Sequence, residues 1–201
     1  AALRSGCGYT ALFLPRDILP HYLLKFPEAL IAPISDGGRV AFTEKNFEKL
    51  LSFDSIAFGM GTGISEDVFS AVQFLLREYT GRLILDADAL NSLAKYGQGR
   101  TDEIFEEKKC DVLLTPHVKE FSRLTGENVK DILHKGLDAP REFAGKFGVS
   151  VLLKGASTVI ACQTGTAVTL SGTPGQAKGG SGDVLSGLIA GLCAQGLSAF
   201  D

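Results

Sequence analysis

The sequence predicts an α/β layered fold, in which a mostly parallel central sheet is flanked by helices and ends in an antiparallel hairpin segment. Three observations carry this. Short apolar runs alternate with helix-patterned stretches up to residue 148, three β-rich runs then follow one another to residue 172, and glycines gather where the runs end. The opening AALRSGCG reads as the tail of a helix running into the strand YTALFLP at 9–15. SIAFGM (55–60), RLILDAD (82–88) and CDVLLTP (110–116) are further buried-strand candidates, each ending at Pro, Gly, Asp or Thr. Residues 65–81 form a helix. Ser65 is placed to cap its free N–H groups, Glu66 and Asp67 meet the positive end of its dipole, and Val68, Val72, Leu75 and Leu76 share one face before Gly81 stops it. Residues 117–126 and 138–148 are helices closed by glycine. VSVLLKG (149–155), STVIACQ (157–163) and TAVTLSG (166–172) are β-rich runs joined by GA and TG, which predicts hairpins. The last apolar window, 184–197, is shorter than the ~18–20 residues that cross a bilayer, and reads as a core helix.

Composition bounds the function. With 201 residues, 45% hydrophobic and 21% charged, the chain can bury a core of one domain. A formal net charge of -3, with no basic cluster longer than Lys108-Lys109, argues against nucleic acid as a partner, and the apolar windows argue against a membrane. Cys7, Cys110, Cys162 and Cys193 lie far apart, with no CxxC pair and no histidine at metal-ligand spacing. They read as buried thiols of a reducing, cytoplasmic setting. No charged stretch followed by an apolar one opens the chain, so no signal peptide is expected, and the start without Met reads as that of a fragment.

Five strand ends carry candidate chemistry. In KGGSGDV, small residues at a helix start can turn the amides of Gly180, Ser181 and Gly182 toward one point, where the helix dipole adds positive charge. Such a nest suits a phosphate. An acid inside it, Asp183, has an evident task as the base that takes a proton from an attacking hydroxyl. The plainer alternative is that Asp183 caps the helix and the glycines allow close packing, as Gly187 and Gly191 do one turn apart. In LLTPHVKEFSRLTG, His117 and Glu120 fall on the first turn of a helix at a strand's end, where side chains face a ligand crevice or simply serve the helix start. LILDADALN places Asp86 and Asp88 at another strand end, for metal or hydroxyl contacts or as a helix cap. AFGMGTG brings Gly59, Gly61 and Gly63, which let a ligand approach the backbone, although the spacing is not that of a dinucleotide fingerprint. In LLKGAST, Lys154 before a turn suits a nucleotide phosphate or solvent.

Taken in order, GMGTG, LDADALN, TPHVKEFSRLTG, VLLKGAST and KGGSGDVLSGLIAGLCAQG resemble the ADP/ATP-dependent NAD(P)H-hydrate dehydratase family, within the ribokinase-like superfold. The likeness covers nearly the whole chain. The resemblance implies a single ribokinase-like domain, 1–201, truncated at both ends. It implies repair of hydrated nicotinamide cofactors at the expense of ADP or ATP, with Mg²⁺ bridging the phosphates and no dedicated protein metal cage. By position, Asp183 is the base on the ring hydroxyl; Gly61, Gly63, His117 and Glu120 join it around the substrate. Lys154, Gly155, Ala156, Ser157 and Thr158 lie along the nucleotide, and Gly180, Ser181 and Gly182 hold the transferring phosphoryl group. Lys178 stands where the family pattern has a small or hydroxyl residue. A homo-oligomer and a functional link to an NAD(P)H-hydrate epimerase are further implications. Two alternatives stand beside this reading: a ribokinase-fold kinase of a small alcohol or vitamin precursor, and a non-catalytic nucleotide-binding module.

Overall fold

The computed structural model of the chain describes residues 1–200. After a short 3-10 turn, Ala2–Arg4, come β1 (Ala11–Pro15), α1 (Leu19–Leu23), β2 (Leu30–Ser35), α2 (Glu44–Phe47) and β3 (Ser55–Phe58). The middle of the chain follows as α3 (Glu66–Glu78), β4 (Arg82–Leu85), α4 (Asp88–Tyr96), α5 (Thr101–Glu106) and β5 (Asp111–Leu114). Then come α6 (Val118–Thr125), α7 (Val129–Lys135), α8 (Asp138–Phe147), β6 (Ser150–Leu153), β7 (Val159–Ala161), β8 (Thr166–Val168) and α9 (Ser181–Ala194). The main sheet runs β3-β4-β5-β6-β7-β8, parallel from β3 to β6 and antiparallel from β6 to β8. The expected α/β layering with an antiparallel segment is therefore what forms.

Both faces of the parallel strands are covered, which is why they read as unbroken apolar runs rather than alternating ones. Leu83 and Leu85 of β4 join Val68, Val72, Leu75, Leu90, Phe121 and Phe143 in the larger core, on the side of α3 to α8. Ile84, pointing the other way, packs with Leu113, Leu152 and Cys193 against Leu185 and Ile189 of α9. Phe121 is almost fully buried and meets Phe143 edge-on at 5.5 Å between ring centres. We expect Phe121→Ala to cost about 3–5 kcal/mol of unfolding free energy by urea titration, since the site cannot collapse onto so large a void.

Ser65 caps α3 as expected, accepting from the Val68 N–H at 3.2 Å, and Gly126 and Gly148 close α6 and α8 in left-handed backbone. Two expectations need correction. The helix at the C-terminal end is not a core helix: Val184 is 58% and Leu188 43% exposed, because α9 presents only one side to the second face of the sheet. Nor are all four thiols buried. Cys110 and Cys193 are, and burial pushes the Cys110 thiol up to about 11, whereas Cys7 and Cys162 are half-buried.

The strand at 9–15 does form, but β1 pairs with β2 in a separate parallel sheet. Pro33 sits inside β2 and Pro15 ends β1, where the register shifts; proline lacks the N–H that a ladder needs and masks a strand in the sequence. Between β1, β3 and α9 lies a cavity of about 620 Å³, lined by Leu12, Leu14, Phe53, Ile56, Gly187 and Asp183 among others. Gly187 and Gly191 let α9 approach the first residues of the chain: a Cβ at Gly187 would come 3.1 Å from that of Ala1, and one at Gly191 would strike the Ser5 hydroxyl. No helix among the described residues is long and apolar enough to cross a membrane.

Candidate active site

Because β3, β4, β5 and β6 are parallel neighbours, the segments that leave their C-terminal ends lie side by side along one edge. These are the Gly59–Gly63 loop, Asp86 to Asp88, Thr115 to His117, and Lys154. They are stitched together by main-chain contacts. The Asp88 N–H donates to the Gly59 carbonyl at 3.2 Å, and the Lys154 N–H to the Pro116 carbonyl at 2.8 Å. His117 and Lys154 form an isolated parallel bridge beyond the strands proper.

Gly59 occupies a position only glycine fits, with φ 120° and the Asp86 carbonyl where a Cβ would stand. Gly61 and Gly63 are exposed in left-handed backbone, and the Gly63 N–H donates to Asp88 Oδ2 at 2.9 Å. Asp88 therefore ties the glycine loop to the start of α4. Neither aspartate caps that helix: its N-cap is Ala87, held at φ 51°, a strained position for a residue with a Cβ.

Asp86 is buried, and each of its carboxylate oxygens is engaged. Oδ1 accepts from Lys154 Nζ at 2.8 Å and from the Ala87 N–H at 2.9 Å; Oδ2 accepts from Ser186 Oγ at 2.8 Å. Ser186 was not among the residues singled out in the sequence. Its signal was the spacing from Gly182, four residues or about one helical turn earlier on the same face of α9. Asn91 and Arg123, joined at 2.8 Å, also escaped notice.

His117 and Glu120 serve the start of α6 together. The His117 ring accepts the Glu120 N–H through Nδ1 at 3.1 Å, while Glu120 Oε2 accepts the His117 N–H at 2.8 Å. A ring accepting through Nδ1 in its neutral form carries its proton on Nε2, which lies 3.5 Å from Glu120 Oε1. Glu120 is buried; the ring is 49% exposed at the strand-end edge. Loss of this cap in His117→Ala should cost about 1 kcal/mol by thermal unfolding.

At α9, the N-cap is Gly180 in left-handed backbone at φ 85°, so the capping position is not that of Asp183, which lies exposed in the first turn. A Cβ at Gly182 would lie 3.8 Å from Asp86 Oδ2 and 3.9 Å from Lys154 Nζ: the first turn of α9 sits directly over the ion pair. Of the three expected amide donors, that of Ser181 is engaged by the Lys178 carbonyl at 3.2 Å, and the Ser181 hydroxyl donates to the Gln176 carbonyl at 2.7 Å. Lys178 is exposed. Asp183 shares the wall of the large cavity with Gly59, Met60 and Thr62 of the glycine loop. Gly155, Ala156 and Ser157 are exposed between β6 and β7, and Thr158 is fixed across the hairpin by Thr169, whose Oγ1 accepts its N–H at 3.2 Å. Among the described residues no group of three His, Cys, Asp or Glu side chains is placed to hold a metal ion.

The family model Carb_kinase, described as NAD(P)H-hydrate dehydratase, matches residues 1–201. The chain belongs to this family. As a dehydratase-family chain it is 38% identical over 200 residues to the bifunctional NAD(P)H-hydrate repair enzyme Nnr of Thermofilum pendens, covering 97% of itself and 37% of that relative. It is 33% identical to the ADP-dependent (S)-NAD(P)H-hydrate dehydratase of Neisseria meningitidis serogroup B, covering all of itself and 64% of that protein. The ADP/ATP-dependent NAD(P)H-hydrate dehydratase of Bacillus subtilis, co-crystallised with ATP and Mg²⁺, superposes with a TM-score of 0.77 at 30% identity, over 96% of this chain and 64% of that one. A ribokinase-like superfamily protein of Enterococcus faecalis, at 24% identity and a TM-score of 0.77, shares the fold.

Proposed function

We propose that the chain is the catalytic part of a nucleotide-dependent NAD(P)H-hydrate dehydratase. The observation that carries this is the placement of Asp183 in the first turn of α9, beside Gly182 over Lys154 and in the wall shared with the GMGTG loop. Hydroxide is a poor leaving group, so the hydrated ring is first phosphorylated. Asp183 takes the proton of the ring hydroxyl, whose oxygen attacks the terminal phosphorus of ATP or ADP and displaces ADP or AMP. The ring nitrogen's lone pair then expels phosphate, and loss of a proton from the neighbouring carbon restores the double bond. The step balances, because the ring hydroxyl oxygen leaves in the phosphate and one phosphoanhydride bond is broken: hydrated NAD(P)H and ATP give NAD(P)H, ADP and phosphate.

The chain's own groups support each requirement. The amides of Gly180 and Gly182, the α9 dipole and the Lys154 ammonium oppose the phosphoryl charge. In this reading Gly61, Gly63, His117 and Glu120 would contact the hydrated nicotinamide, and Gly155, Ala156, Ser157 and Thr158 would lie along the nucleotide, with Ser181 shaping the turn at the phosphoryl group. Mg²⁺ keeps several waters and binds chiefly through substrate phosphates, so in this reading it arrives with the nucleotide. When bound it would offset the negative charge of the phosphates. The bifunctional name of the Thermofilum relative supports a functional link to a second repair activity, which we take to be an NAD(P)H-hydrate epimerase; a homo-oligomer in the cytoplasm is part of the same proposal.

The test is recovery of reduced-nicotinamide absorbance from hydrated NADH with Mg²⁺ and either ADP or ATP. Recovery requiring one nucleotide supports the proposal and names the donor. Accumulation of a stable phosphorylated product would make the protein a small-alcohol kinase instead, and nucleotide binding without turnover a binding module.

A further inference from the structure

Lys154 begins at the sheet edge beside the exposed loop 155–157, and a lysine there has a flexible four-carbon stem with solvent within reach. Its ammonium nevertheless lies inward. Among the described residues its hydrogen-bond partner is Asp86 Oδ1, at 2.8 Å, and the side chain is only 24% exposed. Asp86 is itself fixed by two further donors, the Ala87 N–H and Ser186 Oγ. Since Ser186 is one turn beyond Gly182 on α9, the carboxylate links the end of β4, the end of β6 and the amide-bearing turn of α9. Replacing even a buried ion pair with apolar side chains of similar volume is often neutral or stabilising, so this part-buried pair is weak evidence of a contribution to fold stability.

We propose that Asp86 is a positioning residue: its carboxylate, oriented by Ser186, holds the Lys154 ammonium under Gly182 so that cation and helix amides meet one phosphoryl group. The inference rests on the first turn of α9 being the phosphate site. Asp86 does not touch the reacting atoms. It acts through Lys154, and its effect on nucleotide binding must vanish when the ammonium is absent.

The experiment measures ADP and ATP affinity by calorimetry in the parent chain, Asp86→Asn, Lys154→Met and the double variant, with melting temperatures for all four. Asp86→Asn and Lys154→Met should each weaken binding about tenfold or more, and Asp86→Asn should change it less than about twofold in the Lys154→Met background. A split in turnover should follow, with nucleotide KM raised and the KM for hydrated NADH within about twofold of the parent. Equal losses from Asp86→Asn in both backgrounds, or parent-like affinity in Asp86→Asn, would overturn the proposal while leaving the phosphate site standing. A parent chain that binds neither ADP nor ATP would remove the phosphate site and the proposal with it. Should Asp86→Asn not fold, Ser186→Ala removes one hydrogen bond and no charge. It should weaken ADP binding about threefold in the parent and not at all beside Lys154→Met; equal effects in both would again overturn the assignment.

Discussion

Asp183→Asn is expected to lower turnover of hydrated NADH by about 10³-fold, with nucleotide affinity changed by less than about threefold. Asparagine keeps the shape of the side chain but cannot accept the proton that phosphorylation releases. Asp183 is exposed and in the first turn of α9, so its loss should disturb the fold by no more than the ~1 kcal/mol of a carboxylate beside a helix N-terminus. The measurement pairs single-turnover kinetics with calorimetry on the same preparation. Turnover within about tenfold of the parent would take the base role away from Asp183. A matching loss of nucleotide binding would mean that the side chain supports the phosphate site rather than the proton transfer.

Gly59→Ala is expected to destabilise the chain by about 3 kcal/mol or more. The backbone there has φ 120°, and the new methyl would be driven into the Asp86 carbonyl while standing 2.6 Å from the Ala89 Cβ and 2.8 Å from its N. These are backbone and helix-start atoms with no room to yield. The first turn of α4 would have to move, and with it Asp86 and Asp88, which hold Lys154 and the glycine loop. For a domain of this length the melting temperature should fall by roughly 6–12 °C, with turnover impaired even below the transition. A variant that melts like the parent would show that the β3-to-α4 junction relaxes more easily than its packing implies.

The two variants probe different levels of the molecule, and those levels were not equally legible in the sequence. Strands such as RLIL and DVLL stood out because parallel strands buried on both faces are continuous apolar runs. Helix α3 stood out because Ser65, its first-turn acids and its apolar face all agree. β2 did not, because Pro33 interrupts its pattern and, among the described residues, its β-ladder is with β1 alone. The short helices α1, α2, α5 and α7 lack a long enough apolar period to be distinguished from loops. The free side of α9 was misjudged for a related reason: an apolar run states that a helix is hydrophobic, not which neighbours it meets.

By itself, the sequence determined the layered α/β class, the family, and the motifs at the strand ends, because each is written in contiguous residues whose chemistry is local. Only the tertiary structure decided that Lys154, Asp86 and Ser186, 32 to 100 positions apart, form one hydrogen-bonded polar unit beneath Gly182. It alone showed that the Ser181 amide is engaged in a turn and that Asp183 lines the same cavity as Gly59, Met60 and Thr62. The physical reason is that hydrogen bonds and ion pairs between distant segments depend on strand order and helix placement, which no local pattern encodes.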